Sequence, residues 1–507
     1  RTETANWEYQ ADRTPTAKLS PDPVAGEILK QTQVSSGYCL VLGIGDGKLI
    51  DGLLAESSLR LVVIDADPAG VDALRRRMDA AGYYGIRVTA LTDNPMNAGL
   101  PPYFASLIVA ADPSAVGSDP DFSRNVLQSL RPYGGIACMS AKVVSDQSLS
   151  SQAKKAGLEK AEVTKADDFV RLRRVGALPG AGAWQHQYGN AGNSGSTGEE
   201  MIKAPLGTLW YGGAAGDAEE VTYAVDRGGR GVIPLIAGGH IMFEHGSKRR
   251  ISATDVYTGR LIWQWNPPDK EPWVIIPAKD RSKYIMSYGV NTLIGRMAAV
   301  EDAVYVVSGP NFYGLNAATG KPIAGFNCEE KDEWGSPRVW KEKVFLPSDK
   351  RVVALDRRTG KKAWSFDEFG GVIAAGGGKV FCLQINEAEK SSGVSKLVAL
   401  DADKGTPLWN KDMRVGGKLT KRMMAYSEEQ DRLITGEGSY KGQNGESIHG
   451  GAPSRLDTSA YGAWTLILKN KVFDINGPKF LGGLKDIASG APIKYADPIT
   501  GTDAFDA

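Results

Sequence analysis

The sequence predicts two domains of different class: a doubly wound α/β domain, then an all-β array of repeated blades. Three observations lead there. Short apolar strands alternate with amphipathic helices between residues 23 and 175. A glycine-rich loop, V-L-G-I-G-D-G-K-L (Val41–Leu49), stands where the first strand meets a helix. Beyond residue 195 the helical period disappears, and one turn motif recurs between short apolar runs.

Residues 1–22 are polar with scattered proline and read as an extended arm, docked through Trp7 and Tyr9. A helix is expected near Pro23–Gln33, then a strand at Tyr38–Leu42 and a helix at Lys48–Glu56. Leu59–Ile64 reads as a strand and Ala69–Ala81 as a helix. Arg87–Leu91 and Ser106–Ala110 are further strands. A helix at Asp121–Leu130, a strand at Gly135–Met139, a helix at Ser148–Ala156 and a strand at Phe169–Val175 complete the domain. Strict β/α alternation favours a parallel sheet covered on both faces, so residues 23–178 are assigned to it. Residues 179–195, rich in Gly, Asn and Ala, read as linker and entry to the second domain, residues 196–507.

The repeat is clearest at L-D-R-R-T-G-K-K-A-W (Leu355–Trp364). Asp356 can accept bonds from the turn backbone, Gly360 supplies positive φ, and Trp364 returns as an anchor on the next strand. Copies carry Gly259, Gly320, Gly405 and, more weakly, Gly490. A period of 40–45 residues with several strands per unit indicates propeller blades. Strand pairs such as Val304–Ser308 with Phe312–Leu315, and Val344–Pro347 with Val352–Leu355, precede the turns. Gly436–Gly451 reads as a long loop, and the insertion Pro267–Met297, with Trp273, Arg281, Tyr284 and Asn291, as a top-face functional loop or packing segment.

With 60 Lys+Arg against 59 Asp+Glu, the chain has no net field to recruit nucleic acid. No run of 18 apolar residues suggests a transmembrane helix. Cys39, Cys138, Cys328 and Cys382 lie far apart, mostly in strand-like contexts, and read as buried free thiols. The spacing of His186, His240, His245 and His449 forms no metal set. The chain opens on Arg1, compatible with a cleaved signal peptide.

The loop glycines Gly43, Gly45 and Gly47 let backbone amides approach a ligand at a helix N-terminus. Asp65, 20 residues after Gly45, ends the next strand, where a carboxylate can accept ribose hydroxyls. NAD would suit the same loop. These residues, with A-L-T-D-N (Ala90–Asn94), the approach to the fourth strand (Leu100–Val109) and L-R-P-Y-G-G (Leu130–Gly135), resemble the class I S-adenosylmethionine-dependent methyltransferases over residues 25–177. That resemblance implies S-adenosylmethionine as cofactor, with Gly45 and Gly47 at its methionine end, Asp65 at the ribose and Asp93 at the adenine. The family usually has an acid where this chain has Gly43; Asp46 is the nearby substitute. Asp112, after strand four, occupies a position where that family often contacts substrate, although a simple loop with an Asp-Pro turn is the favoured account of it. No catalytic residue is identified.

The Thr-Gly and Lys-Gly turns with Trp263, Trp364 and Trp409 resemble the PQQ-like propellers, which include quinoprotein dehydrogenases and non-catalytic outer-membrane assembly lipoproteins. The segment W-Q-H-Q-Y-G-N-A-G-N-S-G (Trp184–Gly195) resembles the entry segment of fused members. PQQ and calcium are the less expected cofactors but stay open: no adjacent cysteine pair occurs, and spacing assigns no calcium set. Five or six blades are counted where that superfamily has seven or eight, so the propeller is expected to be incomplete in this chain and another polypeptide to complete it. The resemblance implies a periplasmic or exported protein. Three functions stay open: a methyltransferase with the propeller presenting substrate or partner, a quinoprotein-type oxidoreductase, or a non-catalytic scaffold in a larger complex.

Overall fold

The computed structural model describes residues 15–95, 98–116, 120–158, 160–200, 202, 207–210, 234–245, 249–270, 296–368, 370–384, 394–414, 424–435, 438–448, 466–474, 483–487, 489, 491 and 493. Trp7, Tyr9, His449, Gly490 and most of the insertion, with Trp273, Arg281, Tyr284 and Asn291, lie outside them. The chain divides into two compact units, Arg1–Pro179 and Gly180–Ala507.

The first unit runs α1 (Pro23–Thr32), β1 (Ser36–Leu42), α2 (Lys48–Glu56), β2 (Ser58–Asp65), α3 (Pro68–Ala80), β3 (Val88–Thr92), β4 (Ala105–Ala110), α4 (Pro120–Asn125), β5 (Ile136–Ser140), α5 (Asp146–Lys155), β6 (Ala161–Ala166) and β7 (Phe169–Arg174). Its seven strands lie in the order β3-β2-β1-β4-β5-β7-β6. The first five are parallel, and β7 joins β5 antiparallel. Each face of the sheet is covered, giving two apolar clusters. One includes Val41, Leu53 and Val71; the other includes Leu40, Phe122 and Leu149. Asp22 and Asp67 cap α1 and α3, each accepting two amides of the first turn. Two elements differ from the expectation. The helix foreseen at 121–130 ends at Asn125 and continues as a 3₁₀ turn, because Leu130 leaves to bridge Ala105. Strand β6 has no apolar run to announce it, being a largely exposed edge strand.

The second unit contains six antiparallel sheets among the described residues. Blade 1 is β8–β11 (Leu235–Ala237, His240–His245, Arg250–Asp255, Leu261–Trp265). Blade 2 is β12–β14 (Met297–Ala299, Ala303–Ser308, Asn311–Asn316). Blade 3 is β15–β18 (Arg338–Trp340, Lys343–Pro347, Val352–Asp356, Lys362–Phe366). Blade 4 is β19–β22 (Val372–Gly376, Lys379–Leu383, Val394–Asp401, Pro407–Arg414). Blade 5 is β23–β25 (Met424–Ser427, Arg432–Thr435, Ser439–Lys441), and blade 6 is β26–β28 (Leu466–Leu468, Lys471–Asp474, Gly483–Asp486).

The turn motif joins each blade to the next. Asp356 Oδ1 accepts the amides of Arg358 and Thr359, and Asp255, Asn316 and Asp401 act alike. The indole N–H groups of Trp210, Trp263, Trp364 and Trp409 donate to the carbonyls of Val256, Ala317, Ala402 and Gly442 in the following turn. Each ring lies on that turn's glycine. A Cβ on Gly405, at φ 72°, would stand 2.5 Å from the indole of Trp364, so glycine is required for both backbone and packing. Gly445 meets Trp409 in the same way, at 2.7 Å. It is a repeat copy inside the stretch read as a loop, which also contains strand β25. At Gly360 the neighbours are Phe326 and Asn327, since described blade 2 has no fourth strand to carry a tryptophan.

The segment read as a linker forms the centre of this unit. Residues 184–194 meet the six inner strands in blade order. The carbonyls of Trp184 and Gln185 accept the amides of Ile236 and Ala299. His186 Nε2 accepts the amide of Val339. The carbonyls of Ala191, Gly192 and Ser194 accept those of Ala375, Tyr426 and Ile467. Beyond it, Glu200 pairs with Lys469 of blade 6 at 2.6 Å, while Trp210 docks on blade 1. All four cysteines are buried and free.

Candidate functional site

The glycine-rich loop connects β1 to α2 at the carboxyl edge of the sheet. There β1 lies between β2 and β4, so its two neighbours are entered by connections running in opposite directions. Such a reversal opens a crevice in doubly wound sheets. Gly43, Gly45 and Gly47 have φ of 73°, 56° and 80°. What each one makes room for is visible. A Cβ on Gly43 would stand 2.4 Å from the Asp112 Cβ, one on Gly45 2.5 Å from the Ala111 carbonyl oxygen, and one on Gly47 3.0 Å from an Arg77 guanidinium nitrogen. The loop after β4 therefore lies directly against the glycine loop.

Asp65 is the last residue of β2. Its Oδ2 accepts the amide of Ile44 at 2.8 Å and its Oδ1 that of Asp67 at 2.8 Å. The carboxylate is fixed beside the glycine loop, and each oxygen keeps acceptor capacity for a further donor. Asp93 follows β3. Its amide donates to the Asp65 carbonyl at 3.1 Å, and its exposed carboxylate accepts the Asn94 amide at 2.7 Å. Asp112 Oδ1 accepts the amide and hydroxyl of Ser114, both at 2.8 Å, at the start of a 3₁₀ turn.

Asp46 is the exception. Its carboxylate bonds Lys48 Nζ at 2.7 Å, and that bond holds its pKa below the usual carboxylate value. The structure thus gathers Gly43, Gly45, Asp65, Asp93 and Asp112 along the ends of four adjacent strands, while Asp46 is engaged with its own loop. Sequence reasoning missed Arg77, which reaches from α3 to both Asp51 oxygens at 2.7 Å beneath Gly47. Nothing in the local sequence marked it, because the pairing spans 26 residues.

The family model described as outer membrane protein assembly factor BamB matches residues 247–370 and 348–436. No curated protein matches the chain. Among solved structures, BamB from Moraxella catarrhalis is similar at 13% identity, with 47% of this chain and 67% of that one covered and a TM-score of 0.30. A protein described as a putative S-adenosyl-L-methionine-dependent methyltransferase from Methanococcus maripaludis aligns at 14% identity over 31% of this chain and 84% of that one, TM-score 0.27. A SAM-dependent methyltransferase from Aquifex aeolicus aligns at 14% identity over 30% and 92%, TM-score 0.24. By its sheet order the first unit is a doubly wound, Rossmann-like domain, and the repeats matched in the second unit are PQQ-like propeller repeats.

Proposed function

We propose that the first unit binds S-adenosylmethionine and transfers its methyl group, with the propeller presenting the acceptor or a partner. The observation that carries this reading is the Asp65 carboxylate, locked by the Ile44 amide at the carboxyl end of β2 with acceptor capacity to spare. The residues fit the cofactor. Asp65 would take the ribose hydroxyls, Asp93 the adenine amine, and the Asp112 side chain stands beside Gly43, where an acid for the amino group is otherwise lacking. Bound there, the cofactor supplies an electrophilic methyl group; the chain holds and orients it.

Calorimetric titration with S-adenosylmethionine tests the reading. Wild type is expected to bind, and Asp65→Ala to weaken binding by at least about tenfold, the value of one lost charge-assisted bond. Absence of heat at millimolar cofactor would overturn it.

A second reading, a scaffold whose cofactor site is vestigial, is favoured by one fact. Contacts within the chain account for all three loop glycines without a ligand. A periplasmic or exported location, which we infer from the propeller repeats, suits it better, because S-adenosylmethionine is made in the cytosol. A partner polypeptide completing the ring has a rival in the chain itself, whose Ser194 and Glu200 meet blade 6 and whose Trp210 docks on blade 1.

A further inference from the structure

At one end of the propeller axis, the inner hairpin turns of blades 2, 3 and 5 and the inner strand of blade 4 surround a cavity of about 740 Å³. Its volume is in the range of ligand pockets. Ala191 and Gly192 of the central segment line it together with Val300, Val339 and Ala375, and Trp340 and Tyr426 contribute aromatic surface. Four carboxylates line the same cavity, those of Glu301, Asp302, Glu342 and Glu428, against two cations, Lys341 and Arg357.

Those charges are unevenly matched. Arg357 donates to both oxygens of Asp302, at 2.9 and 3.0 Å, and lies 3.5 Å from Glu342. Arg358 Nε donates to Glu342 at 2.9 Å, so Asp302 and Glu342 each have a guanidinium partner. Lys341 stands over the Trp340 ring, its ammonium 4.3 Å from the centroid. Glu428 meets only the Trp340 indole N–H, at 3.3 Å, among the described residues. Glu301 meets no side-chain or backbone donor among them. Two carboxylates thus face the cavity without a cation, beside an aromatic ring that already holds an ammonium group.

We propose that this axial mouth docks an arginine- or lysine-bearing segment of a partner polypeptide. Charge complementarity selects the occupant. A basic side chain can place its head between Glu301 and Glu428 and its aliphatic stem against Val339 and Ala375. The Trp340–Lys341 pair shows that a cation on this ring is already favourable. Acidic partners and nucleic acid are repelled by the surplus carboxylates. The proposal rests on the propeller alone and is independent of cofactor binding in the first unit.

The test is fluorescence anisotropy of the full chain with a labelled Ala-Arg-Ala-Arg-Ala peptide and its Ala-Glu-Ala-Glu-Ala counterpart. The basic peptide is expected to bind, with affinity that falls as salt rises, and the acidic one not to. Charge reversal by Glu301→Lys with Glu428→Lys is expected to weaken binding at least about tenfold. The isosteric pair Glu301→Gln and Glu428→Gln should act in the same direction and guards against misfolding of the first variant. Equal binding of both peptides, or unchanged binding in the Gln pair with an unchanged melting curve, would overturn the proposal. So would binding of spermine at this site without binding of the basic peptide.

Discussion

His186 Nε2 accepts the amide proton of Val339 at 2.9 Å, a side chain standing in for the backbone carbonyl that the central segment offers each other blade. The bond fixes the tautomer: Nε2 is the acceptor, so the proton sits on Nδ1, which is buried with no partner among the described residues. A second proton would have to go onto Nε2, against the Val339 N–H. Burial, with the Arg338 cation nearby, pushes the pKa of His186 well below 6.5.

Stability should therefore fall on acidification. Below about pH 6.5 the unfolded chain takes up a proton that the folded histidine refuses, at a cost approaching about 1.4 kcal/mol per pH unit. Glu244 acts oppositely. Burial lifts its pKa to about 7 from 4.5, so its folded form binds the extra proton and gains stability as pH falls through that window. His186→Gln keeps an acceptor and removes the titration. Urea unfolding of both proteins at several pH values isolates the effect, because Glu244 cancels. Trp7 is the single tryptophan before residue 180 of the 11 in the chain, so indole fluorescence reports chiefly the second unit. A constant difference between the two proteins from pH 7.5 to 5.5 would refute the assignment.

Trp364 and Gly405 form one joint between blades 3 and 4. Trp364→Ala removes a buried indole and its bond to the Ala402 carbonyl, and should cost about 3–5 kcal/mol. Gly405→Ala places a methyl group within 2.5 Å of the same ring at positive φ, so it too should destabilise. The double variant should lose less than the sum, since removing the indole vacates the space that the new methyl needs. Strict additivity would show that the two do not share a joint.

Much of this was legible in the sequence, for local reasons. Parallel strands read as apolar runs, and the Asp-to-Gly turn identifies itself within six residues, as at Asp356 and Gly360. What stayed hidden depends on distant partners. The segment 184–195 read as part of a linker and domain entry because glycine and asparagine usually mark a joint. Here they allow close approach instead: a Cβ on Gly192 would stand 2.5 Å from the Tyr426 carbonyl oxygen. Around the glycine loop the glycines and Asp65 were legible, yet the packing of Asp112 over Gly43 joins residues nearly seventy apart and left no local signal.

Cysteine chemistry gives a third prediction. Burial pushes the thiols of Cys39, Cys138 and Cys382 upward, Cys138 to about 12. The reactive thiolate is therefore scarce at neutral pH. In native protein these thiols should react with a disulfide reagent only as fast as the chain opens, and all four should react at once in denaturant. Rapid labelling of any of the three under native conditions would place it in a looser environment.

Asn193 is the point where three blades and a buried cation meet. Its Nδ2 donates to the carbonyls of Ile373 and Met424 at 3.0 and 2.9 Å, and its Oδ1 accepts from Arg338 Nε at 2.9 Å. Arg338 is buried, and its other partners are the carbonyls of Ser336 and Pro337 and the Ser336 hydroxyl, with no carboxylate among them. Asn193 also sits at φ 61°, where asparagine and aspartate are tolerated better than alanine. Asn193→Ala orphans two carbonyls and one guanidinium N–H and adds backbone strain, at about 1–3 kcal/mol for each orphaned group. Asn193→Asp loses the two donations but retains the acceptor, tolerates the backbone, and gives Arg338 a carboxylate. Both variants should be less stable than wild type at neutral pH, the alanine variant more so, by tryptophan-monitored unfolding. If the aspartate variant is the weaker, the carboxylate's repulsion of the Ile373 and Met424 carbonyls outweighs its attraction to Arg338, and Asn193 serves chiefly to tie blade 4 to blade 5.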